Sequence, residues 1–509
     1  MPTDMPCPGV ETNGRPAPCA LVLFGATGDL TRRKLIPALF SLATQNLLPE
    51  SFCIIAFARR DKDDNTFRED LRKAVQTFTP DLPATGEAWE RFARNIFYHR
   101  STLDDLEGYR AVKARLADLD REYGLGGRRL FYLATPPNHF TEIVDNLGRA
   151  GLAGLNQDHT RATRIIVEKP FGYDLESARA LNRHLRTVFH EEQIYRIDHY
   201  LGKETVQNIL VLRFANRLYE LLWNQLYVDN IQITVAEEIG VEGRGAYFDD
   251  AGILRDMVQN HVLQILTLIA MEPPISLEAD AIRDEKVKAL RSVRPFTPED
   301  VRRFTVRGQY IADPTGKPGY LQEEGVPPDS HTETYVALRL WVDNWRWAGV
   351  PIYVRAGKRM PRRVTEVVVQ LAQVPQVLFA RMTCESVTPN RITIRIQPDE
   401  GMDILMSAKV PGPAMHVQPV NLHFDYREAF CKSIPDAYER LLLNAMLGDT
   451  SLFARDDEVE EAWELMMPIL ETWAEDKEPP QPYAPGTWGP PAADELLAAD
   501  GRRWWNPVR

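Results

Sequence analysis

Residues 20–30 read ALVLFGATGDL, a short apolar run that passes directly into a turn containing two glycines. The apolar run predicts a buried strand, and the helical pattern that starts near Thr31 predicts a helix after the turn. Glycine lets the backbone approach a pyrophosphate, and the N–H groups at a helix start attract anions. The spacing is G-x-x-G rather than G-x-G-x-x-G, so an ordinary strand-to-helix turn is the alternative interpretation. The place at a first strand–helix junction favours a dinucleotide-binding loop of Gly25, Ala26, Thr27, Gly28, Asp29 and Leu30.

Short apolar runs alternate with helical patterns from about residue 20 to residue 200. Continuous apolar strands separated by helices are typical of a parallel sheet that is covered on both faces. We therefore expect a Rossmann-like, doubly wound α/β domain at 19–200, preceded by a proline-rich leader at 1–18. Its strands are expected at 20–24, 53–57, 96–98, 130–134 and 164–167.

The pattern changes after residue 200, where strands follow one another without intervening helices. Consecutive strands indicate an antiparallel sheet, so 201–478 is predicted to be an α+β domain for substrate binding and oligomerisation, followed by a Pro- and aromatic-rich tail at 479–509. One face of so large a sheet needs a cover, which a partner subunit would provide. The strands are expected at 304–310, 334–342, 352–355, 364–371, 391–396, 402–409 and 416–425, and the helices at 203–224, 252–271, 436–447 and 457–473.

The composition of the 509-residue chain is that of an ordinary globular protein, with 44% hydrophobic and 26% charged residues. A net charge of −12 disfavours a protein that binds nucleic acid or anionic membrane surfaces. The five cysteines include no C-x-x-C pair, which indicates a reducing compartment and no zinc site. With no secretion signal and no long apolar stretch, we expect a cytoplasmic protein without a membrane segment or a bound metal.

The end of the second predicted strand indicates which nicotinamide cofactor the loop would bind. An NAD site places Asp or Glu there for the ribose 2′-hydroxyl, whereas an NADP site replaces the acid with Arg. Here the strand runs into Arg59 and Arg60, which favours NADP. Asp61 and Asp63 lie just beyond, so NAD stays possible as a weaker alternative.

Two further segments concentrate cationic and hydrogen-bonding side chains. Lys169, in EKPFG (168–172), follows the last strand of the wound sheet, at the edge where such sheets bind ligands, and its bond to Pro170 is a candidate cis peptide. The stretch RIDHYLGKE (196–204) is predicted to open a helix. His199, Tyr200 and Lys203 would there offer donors for a phosphate.

A histidine on a predicted helix provides the candidate base. His261 lies among apolar residues together with Arg255, Asp256 and Asn260, and a lone histidine in that setting is usually a structural core residue. Oxidising an alcohol needs a base with a pKa near neutrality, which histidine supplies. Asp198 would repel a phosphate and needs another partner, for which a histidine is the obvious candidate.

Taken together, these segments resemble the glucose-6-phosphate dehydrogenase family. The resemblance covers nearly the whole chain, in the family's order, and RIDHYLGKE is similar to the family's substrate signature. The stretches that carry it are GATGDLTRRKLIPALF (25–40), EKPFG (168–172), RIDHYLGKETVQNILVLRFAN (196–216), EGRGAYFDDAGILRDMVQNH (242–261), TETYVALRLWVDNWRWAGVPIYVRAGKRM (332–360) and PDAYERLLLNAMLGD (435–449).

The resemblance implies a role for each site residue. His261 is implied to be the base for the sugar 1-hydroxyl, with Asp198 as its carboxylate partner, and Arg59 to meet the cofactor 2′-phosphate. Other residues are implied to hold the 6-phosphate (His199, Tyr200 and Lys203), to bond sugar hydroxyls (Glu237 and Asp256), to approach from the second domain (Lys358 and Arg363) and to lie between cofactor and sugar (Lys169). Glu238 is an alternative to Glu237, because the chain departs from the family pattern directly after Glu237. The adjacent Arg362 is likewise an alternative to Arg363.

The function implied by the resemblance is NADP-dependent oxidation of D-glucose 6-phosphate to the 6-phosphogluconolactone, the first step of the oxidative pentose phosphate pathway, by a homodimer or homotetramer. Two other interpretations stay open at this point. A glucose–fructose oxidoreductase-type sugar dehydrogenase would not need the phosphate group of donors at 199–203. A non-catalytic NADP-binding regulator would not need His261.

Overall fold

The computed structural model describes residues 14–155, 163–375, 387–430, 434–476 and 478–507. Most of the predicted leader lies outside these ranges, as do Cys7, Cys384 and Cys431. Cys19 and Cys53 are buried thiols. The chain divides into two compact units, each considered by itself. The first comprises Met1–Lys203, Ser276–Arg283 and Pro435–Glu460, and the second comprises Glu204–Ile275, Asp284–Ile434 and Glu461–Arg509. The domain bounds expected from the sequence stay a prediction.

Strands and helices are numbered in chain order over the described residues. The strands are β1 (Cys19–Phe24), β2 (Phe52–Ala58), β3 (Ile96–Arg100), β4 (Arg129–Leu133), β5 (Thr163–Val167), β6 (Ile194–Ile197), β7 (Val228–Ala236), β8 (Thr305–Tyr310), β9 (Tyr335–Trp341), β10 (Pro351–Gly357), β11 (Val364–Leu371), β12 (Arg391–Gln397), β13 (Gly401–Lys409), β14 (Val417–Asp425), β15 (Phe453–Ala454) and β16 (Gln481–Tyr483). The α-helices are α1 (Ile36–Thr44), α2 (Asp64–Phe78), α3 (Gly86–Ala93), α4 (Leu106–Tyr123), α5 (Phe140–Arg149), α6 (Leu175–Leu185), α7 (Glu204–Phe214), α8 (Arg217–Glu220), α9 (Gly245–Ile253), α10 (Leu263–Ala270), α11 (Ala279–Arg291), α12 (Pro298–Phe304), α13 (Tyr426–Phe430), α14 (Ala437–Leu447), α15 (Asp456–Glu475) and α16 (Pro491–Ala498). Within the described ranges, none of these helices has the length and apolar character that crossing a bilayer requires.

The first unit contains a sheet with the strand order β15–β6–β5–β4–β1–β2–β3. All neighbouring strands are parallel except β15, which pairs antiparallel with β6. β1, β2 and β4 are buried along their whole length, which explains the continuous apolar sequences of β1 and β2. The predicted parallel α/β sheet is confirmed. β6 escaped prediction because it is short and contains a fully buried Arg196, whose charge is paired with Glu191 at 2.6 Å.

The second unit contains a larger sheet with the order β14–β13–β12–β11–β7–β10–β9–β8–β16. Its pairs are antiparallel except β7–β10 and β8–β16, so the predicted mostly antiparallel sheet is confirmed. The central strand β7 was not predicted, because Asp229, Asn230 and Gln232 interrupt its apolar residues. That strand matters for the site, since its parallel pairing with β10 brings the ends of both strands to the same edge.

Two helices that the sequence patterns predict in the second unit differ in detail from the structure. The helix expected at 203–224 is divided into α7 and α8, because Asn216 between them has an extended backbone. The helix expected at 252–271 begins after Gly252, which has a φ of +68°, and continues as a π-helical turn, Leu254–Val262, into α10. The π-helical turn carries Asp256 and His261.

Candidate functional site

The loop after β1 makes a close turn that requires glycine. Gly25 has a φ of +80°, and a Cβ there would lie 2.3 Å from the carbonyl oxygen of Ala134. The Gly25 and Ala26 N–H groups both donate to the Phe57 carbonyl, at 3.1 and 3.3 Å. The Gly28 N–H donates to the Gly25 carbonyl at 2.8 Å, and the helix starts immediately afterwards. This geometry leaves the helix start, with its unsatisfied N–H groups, at the carboxyl end of β1, where it can receive an anion.

A cavity of about 140 Å³ lies beside this loop and has positive charge in its wall. Ala26 and Thr27 contribute the loop side of that wall. Arg32 and Arg60 contribute guanidinium groups, and no carboxylate among the described residues forms an ion pair with either of them. Arg59 is exposed and is not part of the wall. Arg32 was missed by the sequence analysis, although its position in the first turn after the second glycine is a usable signal.

The two acids that left NAD open in the sequence both have partners. Asp61 forms an ion pair with Arg100 at 2.9 Å. Asp63 caps α2: its carboxylate accepts the Thr66 N–H at 2.7 Å, and this hydrogen bond lowers the pKa of Asp63. The arginines are therefore the charged groups at this strand end that remain available to a ligand.

The carboxyl end of β5 carries a buried acid next to Lys169. Glu168 accepts a hydrogen bond of 2.5 Å from the Tyr132 hydroxyl and another from the Tyr438 hydroxyl. Burial raises the pKa of Glu168 to about 7, against the effect of both tyrosines and of Lys169. The Lys169–Pro170 bond is cis, as the sequence indicated. Glu168 had no role in the sequence analysis, although a charged residue at the end of an apolar strand could have signalled one.

The residues expected to bind phosphate lie in one turn after β6. The turn is held by Asp198, which is 3% exposed and accepts the Tyr200 N–H at 2.9 Å. The Lys203 ammonium lies 5.0 Å from the centre of the Tyr200 ring, and the His199 ring packs edge-on against the same tyrosine, also at 5.0 Å. The structure thus brings His199, Tyr200 and Lys203 together. α7 starts at Glu204, so these donors lie in the turn directly before the helix that was expected to start at 203.

In the second unit, the structure brings Glu237 and Lys358 together. They follow β7 and β10, whose last residues, Ala236 and Gly357, are direct partners in the parallel register. The Lys358 ammonium donates to Glu237 Oε2 at 2.6 Å and lies 4.9 Å from the centre of the Phe248 ring. Glu238 is exposed, whereas Glu237 is only 30% exposed. The result is an oriented acid–base pair with donors and acceptors suited to hydroxyl groups.

His261 is fully buried in the π-helical turn, and its backbone N–H donates to the Asn260 side chain at 2.6 Å. The start of this segment is held by Glu333, a residue that the sequence analysis missed. The Glu333 carboxylate accepts the Leu254 N–H, and its carbonyl accepts the Ile253 N–H, both at 3.0 Å. Burial raises the pKa of Glu333. A buried acid at a helix start therefore supports the helix that carries the candidate base.

The remaining predicted residues of the second unit are more exposed. Asp256 lies in the same π-helical turn as His261 and is half-buried. Arg363 precedes β11 and is exposed, whereas its neighbour Arg362 is half-buried. The structure therefore leaves two candidates for the arginine expected here.

The predicted residues are divided between the two units. The first unit holds the glycine loop, Arg59, Lys169 and the turn from Asp198 to Lys203, all at or after strand ends of the parallel sheet. The second unit holds Glu237, Lys358 and Arg363 at strand ends, and Asp256 and His261 in the π-helical turn.

Comparison with known proteins identifies the family. Residues 22–208 match the family model for the glucose-6-phosphate dehydrogenase NAD binding domain, and 210–505 match that for the C-terminal domain. The glucose-6-phosphate 1-dehydrogenase of Aggregatibacter actinomycetemcomitans is 48% identical, with 96% of this chain and 97% of the relative covered, and that of Chlamydia pneumoniae is 46% identical, with 96% of each covered. A solved structure described as glucose-6-phosphate dehydrogenase in complex with its substrate glucose-6-phosphate superposes with a TM-score of 0.88 at 36% identity, covering 97% of this chain and 100% of that one. The chain therefore belongs to the glucose-6-phosphate dehydrogenase family.

Proposed function

We propose that the protein oxidises D-glucose 6-phosphate to 6-phospho-D-glucono-1,5-lactone and reduces NADP, the first step of the oxidative pentose phosphate pathway. The observation that carries this proposal is the turn that gathers His199, Tyr200 and Lys203, in a chain that resembles glucose-6-phosphate 1-dehydrogenases over 96% of its length. Two cationic or neutral nitrogen donors and a hydroxyl within one turn suit a phosphate monoester. A sugar without phosphate would leave them unused.

In the proposed reaction, His261 removes the proton from the sugar 1-hydroxyl as the hydride leaves C1. Bound NADP supplies the acceptor for that hydride at its nicotinamide ring. Asp198 is proposed to act as the carboxylate partner that stabilises the imidazolium. Complete burial of His261 supports its role, because a buried imidazole is shielded from bulk water. General-base help of this kind contributes about 10²–10⁴-fold to the rate.

The sugar is proposed to be oriented by the hydroxyl-binding side chains. Glu237 and Asp256 would bond the hydroxyls, and Lys358 and Arg363 would approach from the second unit. The ion pair between Lys358 and Glu237 supports this arrangement, since it fixes both side chains before a ligand arrives. Lys169 is proposed to lie between sugar and cofactor.

The cofactor is proposed to bind along the loop Gly25 to Leu30, with its 2′-phosphate at the arginines that follow β2. Arg59 stays the proposed contact, and Arg60 and Arg32 are added to it because they line the cavity beside the loop. The engagement of Asp61 by Arg100 and of Asp63 by the α2 cap supports NADP over NAD. Each acid would have to give up a partner to bond a ribose hydroxyl.

The proposed setting is a cytoplasmic homodimer or homotetramer. Two buried thiols, Cys19 and Cys53, support a reducing compartment. Val420 and Leu422 on β14 are 40% and 54% exposed, and an apolar strand surface of this kind supports a covering partner subunit. Light scattering of the purified protein tests the assembly. We also propose that the dinucleotide-binding domain, 19–200, is completed by 435–460, the later segment of the same compact unit.

The direct test of the function is nicotinamide reduction by the purified protein. We expect reduction with glucose 6-phosphate and NADP, a lower kcat/KM with NAD, and little activity on unphosphorylated glucose. Preference for glucose would instead favour a glucose–fructose oxidoreductase-type enzyme. Absence of reduction with any of these sugars would favour a non-catalytic regulator.

The base is tested by His261→Asn, with the exposed His331→Asn as the matched control. We expect kcat to fall about 10²–10⁴-fold in the first variant, while glucose 6-phosphate binding measured by calorimetry stays within a few-fold of wild type. Turnover close to wild type in His261→Asn would remove this residue from the mechanism.

A further inference from the structure

A second cavity lies at the amino end of the parallel sheet in the first unit. Its volume is about 200 Å³, larger than the ~30 Å³ that one water molecule occupies in the liquid. Residues before and within β1, at the start of β4 and in β5 form its wall, together with the end of α14. They are Arg15, Pro16, Ala17, Cys19, Arg128, Arg129, Leu130, Arg164, Met446 and Leu447.

This cavity is separate from the dinucleotide loop. β1 begins at Cys19, which lines the cavity, and ends at Phe24, directly before the loop. Six residues in a strand span about 20 Å at a rise of ~3.3 Å per residue. β4 and β5 run parallel to β1, so their starts lie at the same amino edge. A ligand here would thus occupy the edge opposite the one used for the cofactor.

The charge of the cavity wall is strongly positive. It contains four arginines, and none of the described residues that line it is Asp or Glu. Arg129 forms an ion pair with Asp120, which lies outside the wall. Among the described residues, no carboxylate forms an ion pair with Arg15, Arg128 or Arg164. Three of the four arginines that line the cavity, of which Arg15 and Arg128 are exposed, therefore have no ion-pair partner among the described residues.

Their hydrogen bonds leave donor capacity. Arg164 Nη1 donates to the carbonyls of Ala445 and Met446, both at 2.9 Å, and Arg15 Nε donates to the Leu48 carbonyl at 2.5 Å. The side chain of Arg128 makes no hydrogen bond within the described residues. Each guanidinium has five N–H groups, so most of these donors are still available.

The pKa of the Cys19 thiol responds to three of these arginine charges. Its thiol is buried, and burial raises its pKa to about 12. Arg164, Arg128 and Arg129 each act on that pKa in the opposite direction, because their positive charges favour a thiolate. Three guanidinium charges are thus felt at a single buried atom in the cavity wall. An anion at this position would be attracted by all of them.

We propose that this arginine pocket, the cavity lined by Arg15, Arg128, Arg129 and Arg164, binds a phosphorylated small molecule through a phosphate or diphosphate group. Guanidinium groups bind phosphate oxygens in pairs and form stronger hydrogen bonds with them than with neutral acceptors. The cavity volume admits such a group, and the apolar contacts of Leu130, Met446 and Leu447 suit the rest of a small ligand. In a chain with a net charge of −12, the described residues offer a carboxylate partner to only one of these four arginines, Arg129.

The test is calorimetric titration of the full-length enzyme with pyrophosphate and, separately, with inorganic phosphate. Saturating glucose 6-phosphate and NADPH are present, so that the proposed substrate and cofactor sites are filled. Arg128→Ala is the informative variant, because its side chain makes no hydrogen bond that the fold would lose. Arg121→Ala is the matched control: it removes an exposed arginine of the neighbouring α4, paired with Asp118, that does not line the cavity.

We expect saturable binding to the wild type, about tenfold weaker in Arg128→Ala and unchanged in Arg121→Ala. Tighter binding of pyrophosphate than of phosphate assigns a diphosphate group, and equal binding assigns a single phosphate. Turnover of Arg128→Ala should equal that of wild type. The proposal is overturned by absence of saturable binding, by wild-type binding in Arg128→Ala, or by equal weakening in Arg121→Ala.

Discussion

Two buried carboxylates, Glu168 in the first unit and Glu333 in the second, are held by different kinds of donor. Glu168 accepts from two tyrosine hydroxyls, whereas Glu333 accepts from a backbone N–H at a helix start. Burial raises the pKa of both. A hydroxyl can donate to a carboxylate or accept from a carboxylic acid, but an N–H can only donate. Glu168 can therefore change protonation without losing its partners, while Glu333 must keep an oxygen facing the backbone.

The largest effect on the free energy of unfolding is expected from Gly252→Ala. This variant tests whether the Glu333 carboxylate can move away from its position. Gly252 has a φ of +68°, and a Cβ there would lie 2.4 Å from Glu333 Oε1. We expect the free energy of unfolding to fall by about 3 kcal/mol or more, as backbone strain and steric overlap add. Chemical denaturation measures this loss.

Gly243→Ala is the matched control for that variant. Gly243 has a similar φ of +73°, but a Cβ there has no atom within 4 Å. The free energy of unfolding of Gly243→Ala should fall by only about 1–2 kcal/mol, because backbone strain acts there without steric overlap. Equal losses in the two variants would mean that the Glu333 carboxylate is free to move away.

The second effect concerns pH and Glu168→Gln. The pKa of Glu168 is raised from 4.5 to about 7 in the folded protein. The contribution of protonated Glu168 to the free energy of unfolding is therefore fully present below pH 4.5 and is lost as the pH rises towards 7. Between pH 4.5 and about 7, we expect the free energy of unfolding of wild type to fall by about 3 kcal/mol relative to that of Glu168→Gln. Unfolding measured at about pH 5 and about pH 8 tests this. The exposed Glu87→Gln should show no such difference.

The smallest effect is expected from Tyr438→Phe, which leaves Glu168 with one hydroxyl. Tyr132 still donates to the acid, so the free energy of unfolding should fall by only about 1 kcal/mol near neutral pH. The titration seen in wild type against Glu168→Gln should move to higher pH, because one group that lowers the pKa of Glu168 is gone. A shift to lower pH would show that Tyr438 is not a donor to Glu168.

Local sequence patterns sufficed where a function is confined to one loop or turn. The strand–glycine–helix order predicted the loop at 25–30, and the donors at 199–203 are close together because they are close in sequence. β7 was missed because polar residues interrupt its apolar run. The family resemblance, rather than strand prediction, supplied the importance of Glu237.

Contacts between distant residues could not be read from the sequence. Glu333 supports Leu254 from 79 residues away, and Tyr438 reaches Glu168 from a segment near the end of the chain. The partners of Asp61 and Asp63 were equally hidden, because Arg100 comes from a different strand and the Asp63 cap depends on where α2 starts. Such pairings depend on which strands and helices become neighbours, which single-sequence patterns do not encode.

Helix α14 bonds β5, or the residue directly after it, at both of its ends. These contacts determine when the first unit can be completed during synthesis. Tyr438, near its start, bonds Glu168, and the carbonyls of Ala445 and Met446, near its end, bond Arg164. The same late segment, Pro435–Glu460, supplies the edge strand β15. The ribosome releases the chain from its amino end. Until 435–460 is synthesised, β6 is an open edge of the parallel sheet and β5 lacks its contacts with α14. The unit whose sequence emerges first is therefore completed only after most of the second unit, up to Ile434, has been synthesised.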